Sequence, residues 1–203
     1  LDRYPIDRLD NKAGQLLVAQ CRSDLDDCAA AMLPKFVRQA AITKMAEEAE
    51  SLVQVAHRYD GDRVTFYEED DKGCSDDDSL DSAVRSVRHP NRYCQILNYQ
   101  IPNHSDLRAI YLWPPLTEFI RQVLNVEQLF LSQCPHLALT MKVAYEGDTD
   151  GWHYDPNDGV ITLVLQTADN GGEFEYAPNI RNKNDQNYAG VDQIGRASCR
   201  ERV

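Results

Sequence analysis

The chain has 203 residues, 42% of them hydrophobic, and a net charge of −12, so it is long and apolar enough for one domain, or a good part of one, with its own core. The acidity argues against a general nucleic-acid or anionic-membrane binder, because such proteins gather phosphates with basic patches. No stretch has the apolar length of a membrane span or the pattern of a signal peptide, and a soluble cytoplasmic protein with no nucleic-acid or membrane partner is expected.

Leu1 stands where a methionine would open a complete chain, so a preceding piece is expected. Leu1–Asp10 reads as an irregular lead-in. Gly14–Leu25 places Leu17, Val18, Cys21 and Leu25 near helical spacing and predicts a short amphipathic helix. Cys28–Leu33, an apolar run ahead of Pro34, reads as a strand. Over Phe36–Ala56, residues Val37, Ala41, Met45, Ala49, Leu52 and Ala56 recur at three and four, the pattern of a helix with one buried face that buttresses a core. Arg63–Tyr67 reads as a strand, and the acidic run Glu68–Asp81 as a solvated loop. That run lacks the glycine and terminal Glu spacing of an EF-hand.

Arg85, Arg88, Arg92, Tyr93 and Tyr99 form a basic and aromatic cluster around His89-Pro90. It is a candidate lining for a substrate mouth, and a plain polar surface is the simpler reading. Pro114-Pro115 opens a helix through Leu124, proline being tolerated in the first turn, where its missing N–H has no helical partner. His104 and His136, in loop-like sequence, read as ordinary. Cys21, Cys28, Cys74, Cys94 and Cys134 show neither CxxC pairs nor a short secreted framework, so reduced thiols are expected.

The chemistry gathers in Asp150–Arg181, DGWHYDPNDGVITLVLQTADNGGEFEYAPNIR. Upstream, Ala138–Tyr145 reads as a strand followed by the Gly- and Asp-rich turn Glu146–Asp150. Downstream come a strand-like run, Gly159–Gln166, a tight turn at Ala168–Gly172, and an alternating strand at Glu173–Tyr176. His153 and Asp155 are separated by one residue. In an extended segment they share a face, so an imidazole and a carboxylate converge on one ion while Trp152 and Tyr154 point away. Two histidines and a carboxylate on one face of an octahedron leave Fe(II) open positions for a cosubstrate and oxygen. Here the sequence offers two of those three ligands.

The order VAYEGDTDGWHYD, apolar strand, GGEFEYAPNIR resembles the Fe(II)- and 2-oxoglutarate-dependent oxygenases. GWHYD followed by LVLQ and GGEFEYAPNIR is similar to their bacterial small-molecule and amino-acid hydroxylases, a subgroup that also contains halogenases. The likeness covers roughly Asn98–Arg181. It implies an α+β fold in which helices support a double-stranded β-helix (jelly-roll) core. On that likeness residues 1–125 form the helical support, 126–193 the first part of the core, and 194–203 a tail foreign to both. The resemblance implies Fe(II) held by His153 and Asp155, 2-oxoglutarate as cosubstrate with Tyr145 as a candidate contact to it, and O2 and a small molecule, such as a free amino acid, as substrates. Decarboxylation of 2-oxoglutarate to succinate would accompany hydroxylation of an unactivated C–H bond. Halogenases of the subgroup have glycine or alanine where Asp155 stands, so hydroxylation or a related oxidation is expected and halogenation is not. Glu146, Asp148 and Asp150 are candidates to face a substrate ammonium group, or solvated turn carboxylates. A cupin-like non-oxidative isomerase or binding protein, and a zinc hydrolase, remain alternative readings.

Ile194–Val203, IGRASCRERV, follows no hydrophobic period and looks like a sequencing adapter translated in frame; a native basic tail is the other reading. In the family a second metal histidine and a basic partner for 2-oxoglutarate lie well past GGEFEY, whereas all five histidines here lie at or before His153. A C-terminally truncated, inactive fragment with unpaired core edges and weak iron binding is therefore expected.

Overall fold

The computed structural model describes residues 3–65, 88–154, 159–178, 180 and 201–202. Helix α1, Lys12–Cys28, starts where the Asn11 side chain accepts the Gly14 N–H at 2.9 Å, satisfying one of the donors a helix start leaves open. It stops at Ala29, whose left-handed backbone (φ 56°) turns its N–H back onto the Leu25 carbonyl. The helix thus runs three residues beyond its predicted end, through Cys28, and the strand expected at Cys28–Leu33 does not form. Helix α2, Gln39–Leu52, passes into a 3₁₀ turn at Val53–Val55, so the predicted helix is shorter at both ends. Helix α3, Asp106–Tyr111, is capped by the Ser105 hydroxyl. Helix α4, Pro114–Val123, begins at the proline pair as expected.

The strands are β1 (His57–Val64), β2 (Arg88–Ile96), β3 (Met141–Val143), β4 (Glu175–Tyr176) and β5 (Glu201–Arg202). The first three form an open antiparallel sheet in the order β1-β2-β3, and β4 pairs antiparallel with β5 over two residues. The class is α+β. Two sequence expectations change here. Only Met141–Val143 of the run Ala138–Tyr145 is strand, and Gly159–Gln166 has no regular structure, since no described strand supplies it with a ladder partner. The Glu173–Tyr176 strand shortens to its last two residues, which pair inside the segment read as a foreign tail. The acidic run 68–81 lies outside the described residues, as do Cys74, Arg85, Asp155 and Arg181. No described helix is long and apolar enough to cross a membrane.

By its contacts the chain divides into two compact units, Leu1–His57 with Gln95–Val143, and Arg58–Cys94 with Ala144–Val203. In the first, Val18 and Cys21 of α1 meet Phe119 of α4 around Ile6, with Leu17, Leu33, Phe36, Trp113 and Ile120 packed on the periphery. The Arg22 guanidinium ties α1 to the end of α4 by donating to the Gln122 carbonyl at 3.0 and 2.5 Å. Met45 and Ala49 are the buried residues of α2, which packs against α3 and β3; burying a side chain like Met45 contributes roughly 1.5–3 kcal/mol. Arg108 holds the 98–102 loop by donating to Asn98 Oδ1 and to the Asn98 and Ile101 carbonyls.

In the second unit, β1 and β2 carry the Tyr59 and Tyr93 rings 5.0 Å apart. They also hold the segment that leads to His153. Arg92 and Thr149 exchange both backbone hydrogen bonds, at 2.7 and 3.0 Å.

Candidate functional site

The segment Tyr145–Tyr154 is fixed from β1 and β2 at successive points. At its head is a tight turn in which the Asp148 N–H donates to the Tyr145 carbonyl at 2.9 Å and the Tyr145 N–H to Asp148 Oδ2 at 3.0 Å. Gly147 takes φ +83° there, a conformation that costs glycine little and other residues more. The Arg58 guanidinium then grips Asp148 with two nearly parallel bonds of 2.7 and 2.6 Å. The Asp148 side chain is 5% exposed. Arg58 first, and the Tyr145 N–H second, hold the Asp148 carboxyl down at about 2. Farther along, Arg63 donates to Asp150 at 3.0 Å. Two of the three acidic residues that the sequence offered to a substrate ammonium group are thus engaged by arginines of β1. Arg92, one of the cluster offered as a substrate mouth, pairs with Asp60 at 3.1 Å, and Tyr93 is buried.

His153 follows. Its Nδ1 lies 2.6 Å from the Gly151 carbonyl oxygen and 3.9 Å from Asp150 Oδ1, with the side chain 19% exposed. A carbonyl oxygen only accepts, so Nδ1 carries a proton and donates it to Gly151. A metal-ligating imidazole is commonly anchored in this way, its far nitrogen donating to a backbone carbonyl. The predicted partner, Asp155, lies outside the described residues. Tyr145, 48% exposed, stands at the head of the turn, with its own N–H and carbonyl both engaged by Asp148. Residues 151–154 do not form the regular strand on which the alternation of His153 and Asp155 was based.

A third residue enters that the sequence reading passed over. His89, in β2, packs its Cβ where a side chain on Gly151 would stand: a Cβ built there would fall 2.7 Å from His89 Cβ and 2.9 Å from the Pro90 carbonyl oxygen. His89 Nε2 lies 3.0 Å from Thr65 Oγ1, and burial moves the imidazole below its ordinary pKa. Nothing local in the sequence links His89 to Gly151; the one signal is a glycine placed directly before WH. Of the other histidines, His57 begins β1, His104 is exposed in a loop, and His136 stands edge-on to Tyr99 at 5.5 Å.

Among the described residues no group of three His, Cys, Asp or Glu side chains is placed to hold a metal. One imidazole is therefore anchored by backbone as metal ligands commonly are, and no complete ligand set stands around it among the described residues. Two hollows are lined elsewhere, one by the Thr167–Glu173 turn and one of about 570 Å3 beside α4, where Leu112, Leu129, Phe130 and Leu131 meet the Glu118–Arg121 ion pair. An α+β chain with a small open antiparallel sheet and a backbone-anchored histidine is the class these features define. No protein-family model matches the chain, and neither does any curated protein or solved structure.

Proposed function

We propose that the chain carries part of the metal site of an Fe(II)- and 2-oxoglutarate-dependent dioxygenase that hydroxylates a free amino acid or other small molecule, with the supporting sheet belonging to a double-stranded β-helix. The observation that supports it most is the His153 ring, whose Nδ1–H is held by the Gly151 carbonyl, the backbone anchorage common to metal-ligating imidazoles. His153 and Asp155 would hold the iron, and Tyr145 is a candidate contact for 2-oxoglutarate. When bound, iron and cosubstrate supply the oxidation of a C–H bond coupled to decarboxylation of 2-oxoglutarate to succinate. The protein's share is positional. Gly151 fixes the imidazole tautomer, and Arg58 and Arg63 hold the loop carboxylates of Asp148 and Asp150.

Anaerobic titration with Fe(II) tests the metal site. The chain should bind iron, and His153→Ala and Asp155→Ala should each weaken that binding by about tenfold or more; unchanged binding in both variants would sink the assignment. Turnover is read as oxygen uptake with succinate formation, dependent on Fe(II) and 2-oxoglutarate. A chlorinated product in the presence of chloride would contradict the hydroxylase reading of Asp155.

A further inference from the structure

Two contacts place His89 on both sides of His153 along the chain. Its Cβ fills the space in front of Gly151, the residue whose carbonyl holds His153 Nδ1. Its Nε2 meets the hydroxyl of Thr65, and the Thr65 carbonyl accepts the Tyr154 N–H at 3.0 Å. The chain is therefore pinned two residues before His153 by contact with His89, and immediately after it by a residue that His89 itself holds. Thr65 is only 4% exposed, so water does not readily replace the imidazole if the pair is broken, and the loss of a buried polar partner is felt in full.

We propose that His89 is a positioning residue for His153: through Gly151 and Thr65 it fixes the backbone carbonyl that selects the His153 tautomer and the direction of Nε2. The inference rests on reading His153 as a metal ligand, and it assigns His89 no bond to the metal. His89 donates or accepts one hydrogen bond, at Thr65, and otherwise acts by shape. A glutamine there can reach the same hydroxyl with an amide, whereas leucine keeps the bulk and loses the bond. Thr65→Val deletes the hydroxyl with little change of volume, and Thr65→Ser retains it.

The test uses three readouts that do not depend on turnover. Imidazole nitrogen chemical shifts report the His153 tautomer, and amide hydrogen exchange reports the Tyr154 N–H. Co(II) titration followed by absorbance reports metal affinity. With helical content unchanged by circular dichroism, His89→Leu and Thr65→Val should mix the His153 tautomers, speed exchange at Tyr154 and lower Co(II) affinity about tenfold, the usual scale for residues that orient a metal ligand. His89→Gln and Thr65→Ser should recover most of each loss. If His89→Leu loses its fold, the Thr65→Val and Thr65→Ser pair decides the question alone. A single His153 tautomer and unchanged Tyr154 exchange in the folded Leu and Val variants would overturn the proposal. Failure of the wild-type chain to bind Co(II) would instead remove the metal-ligand reading on which the proposal rests, while the tautomer and exchange data would still decide whether His89 positions the ring.

Discussion

Arg58 and Asp148 show how one pair of side chains sets the shape of the segment leading to His153. The Asp148 carboxyl is held down to about 2 from an ordinary value near 3.8, first by Arg58 and then by the Tyr145 N–H. A carboxyl whose folded pKa is depressed stabilises the fold above its unfolded pKa and loses that contribution as pH falls toward the folded value. The wild-type chain should therefore lose stability as pH drops from about 3.8 to about 2. Asp148→Asn should be less stable at neutral pH and should lack this component, as measured by urea unfolding at a series of pH values. Gly151 offers a second residue-scale prediction. Gly151→Ala would place a Cβ 2.7 Å from His89 Cβ and 2.9 Å from the Pro90 carbonyl. Backbone and a short Cβ give way poorly, so a cost of about 1–3 kcal/mol is expected in chemical denaturation. Asp148 was visible in the sequence as a member of the Gly- and Asp-rich turn Glu146–Asp150, and Gly151 as the residue just after it. Their partners Arg58 and His89 were not, because charge and shape complementarity across a sheet leave no local pattern.

The helices were the most legible elements. The three and four spacing of Val18 and Cys21, and of Met45 and Ala49, is the same spacing that buries them. Their ends were less so, because capping depends on one side chain. Asn11→Ala should cost about 1 kcal/mol by removing the acceptor for the Gly14 N–H, and Asn11→Ser should restore most of it; urea titration of the pair checks this. Strand β2 was hidden. Its first half, Arg88, His89, Pro90, Asn91 and Arg92, is polar and holds a proline, which argues against a strand, yet its last four residues, Tyr93 to Ile96, are all buried. The reverse error came at Gly159–Gln166, where a strand-like apolar run finds no ladder partner among the described strands. Met45→Ala, in the buried face of α2, should cost about 2–5 kcal/mol in the same experiment, the scale of a large-to-small change in a packed core.

At the scale of the molecule, each compact unit is assembled from two stretches of chain well separated in sequence. Burial is uneven: Val160, Ile161 and Val164 are more than half exposed, Ile161 at 68%. Exposed apolar residues clustered in one short segment favour association, so the chain should scatter light increasingly with concentration and Ile161→Lys should reduce that scattering; identical scattering by the variant would contradict the assignment of this segment. Composition by itself determined the acidic character and the presence of a core, periodicity marked the first two helices and a proline pair opened the one at Pro114, since all of these are properties of the chain taken locally. The WHYD segment also marked itself, as a histidine and a carboxylate one residue apart beside a glycine. Only the tertiary structure decided the anchorage of His153, because the Gly151 whose carbonyl meets its Nδ1 packs against His89 of β2, and the Tyr154 N–H beyond it is held by the Thr65 carbonyl just past β1. Contacts of that kind join residues far apart in the chain, and they are set by packing and hydrogen bonding across the folded unit.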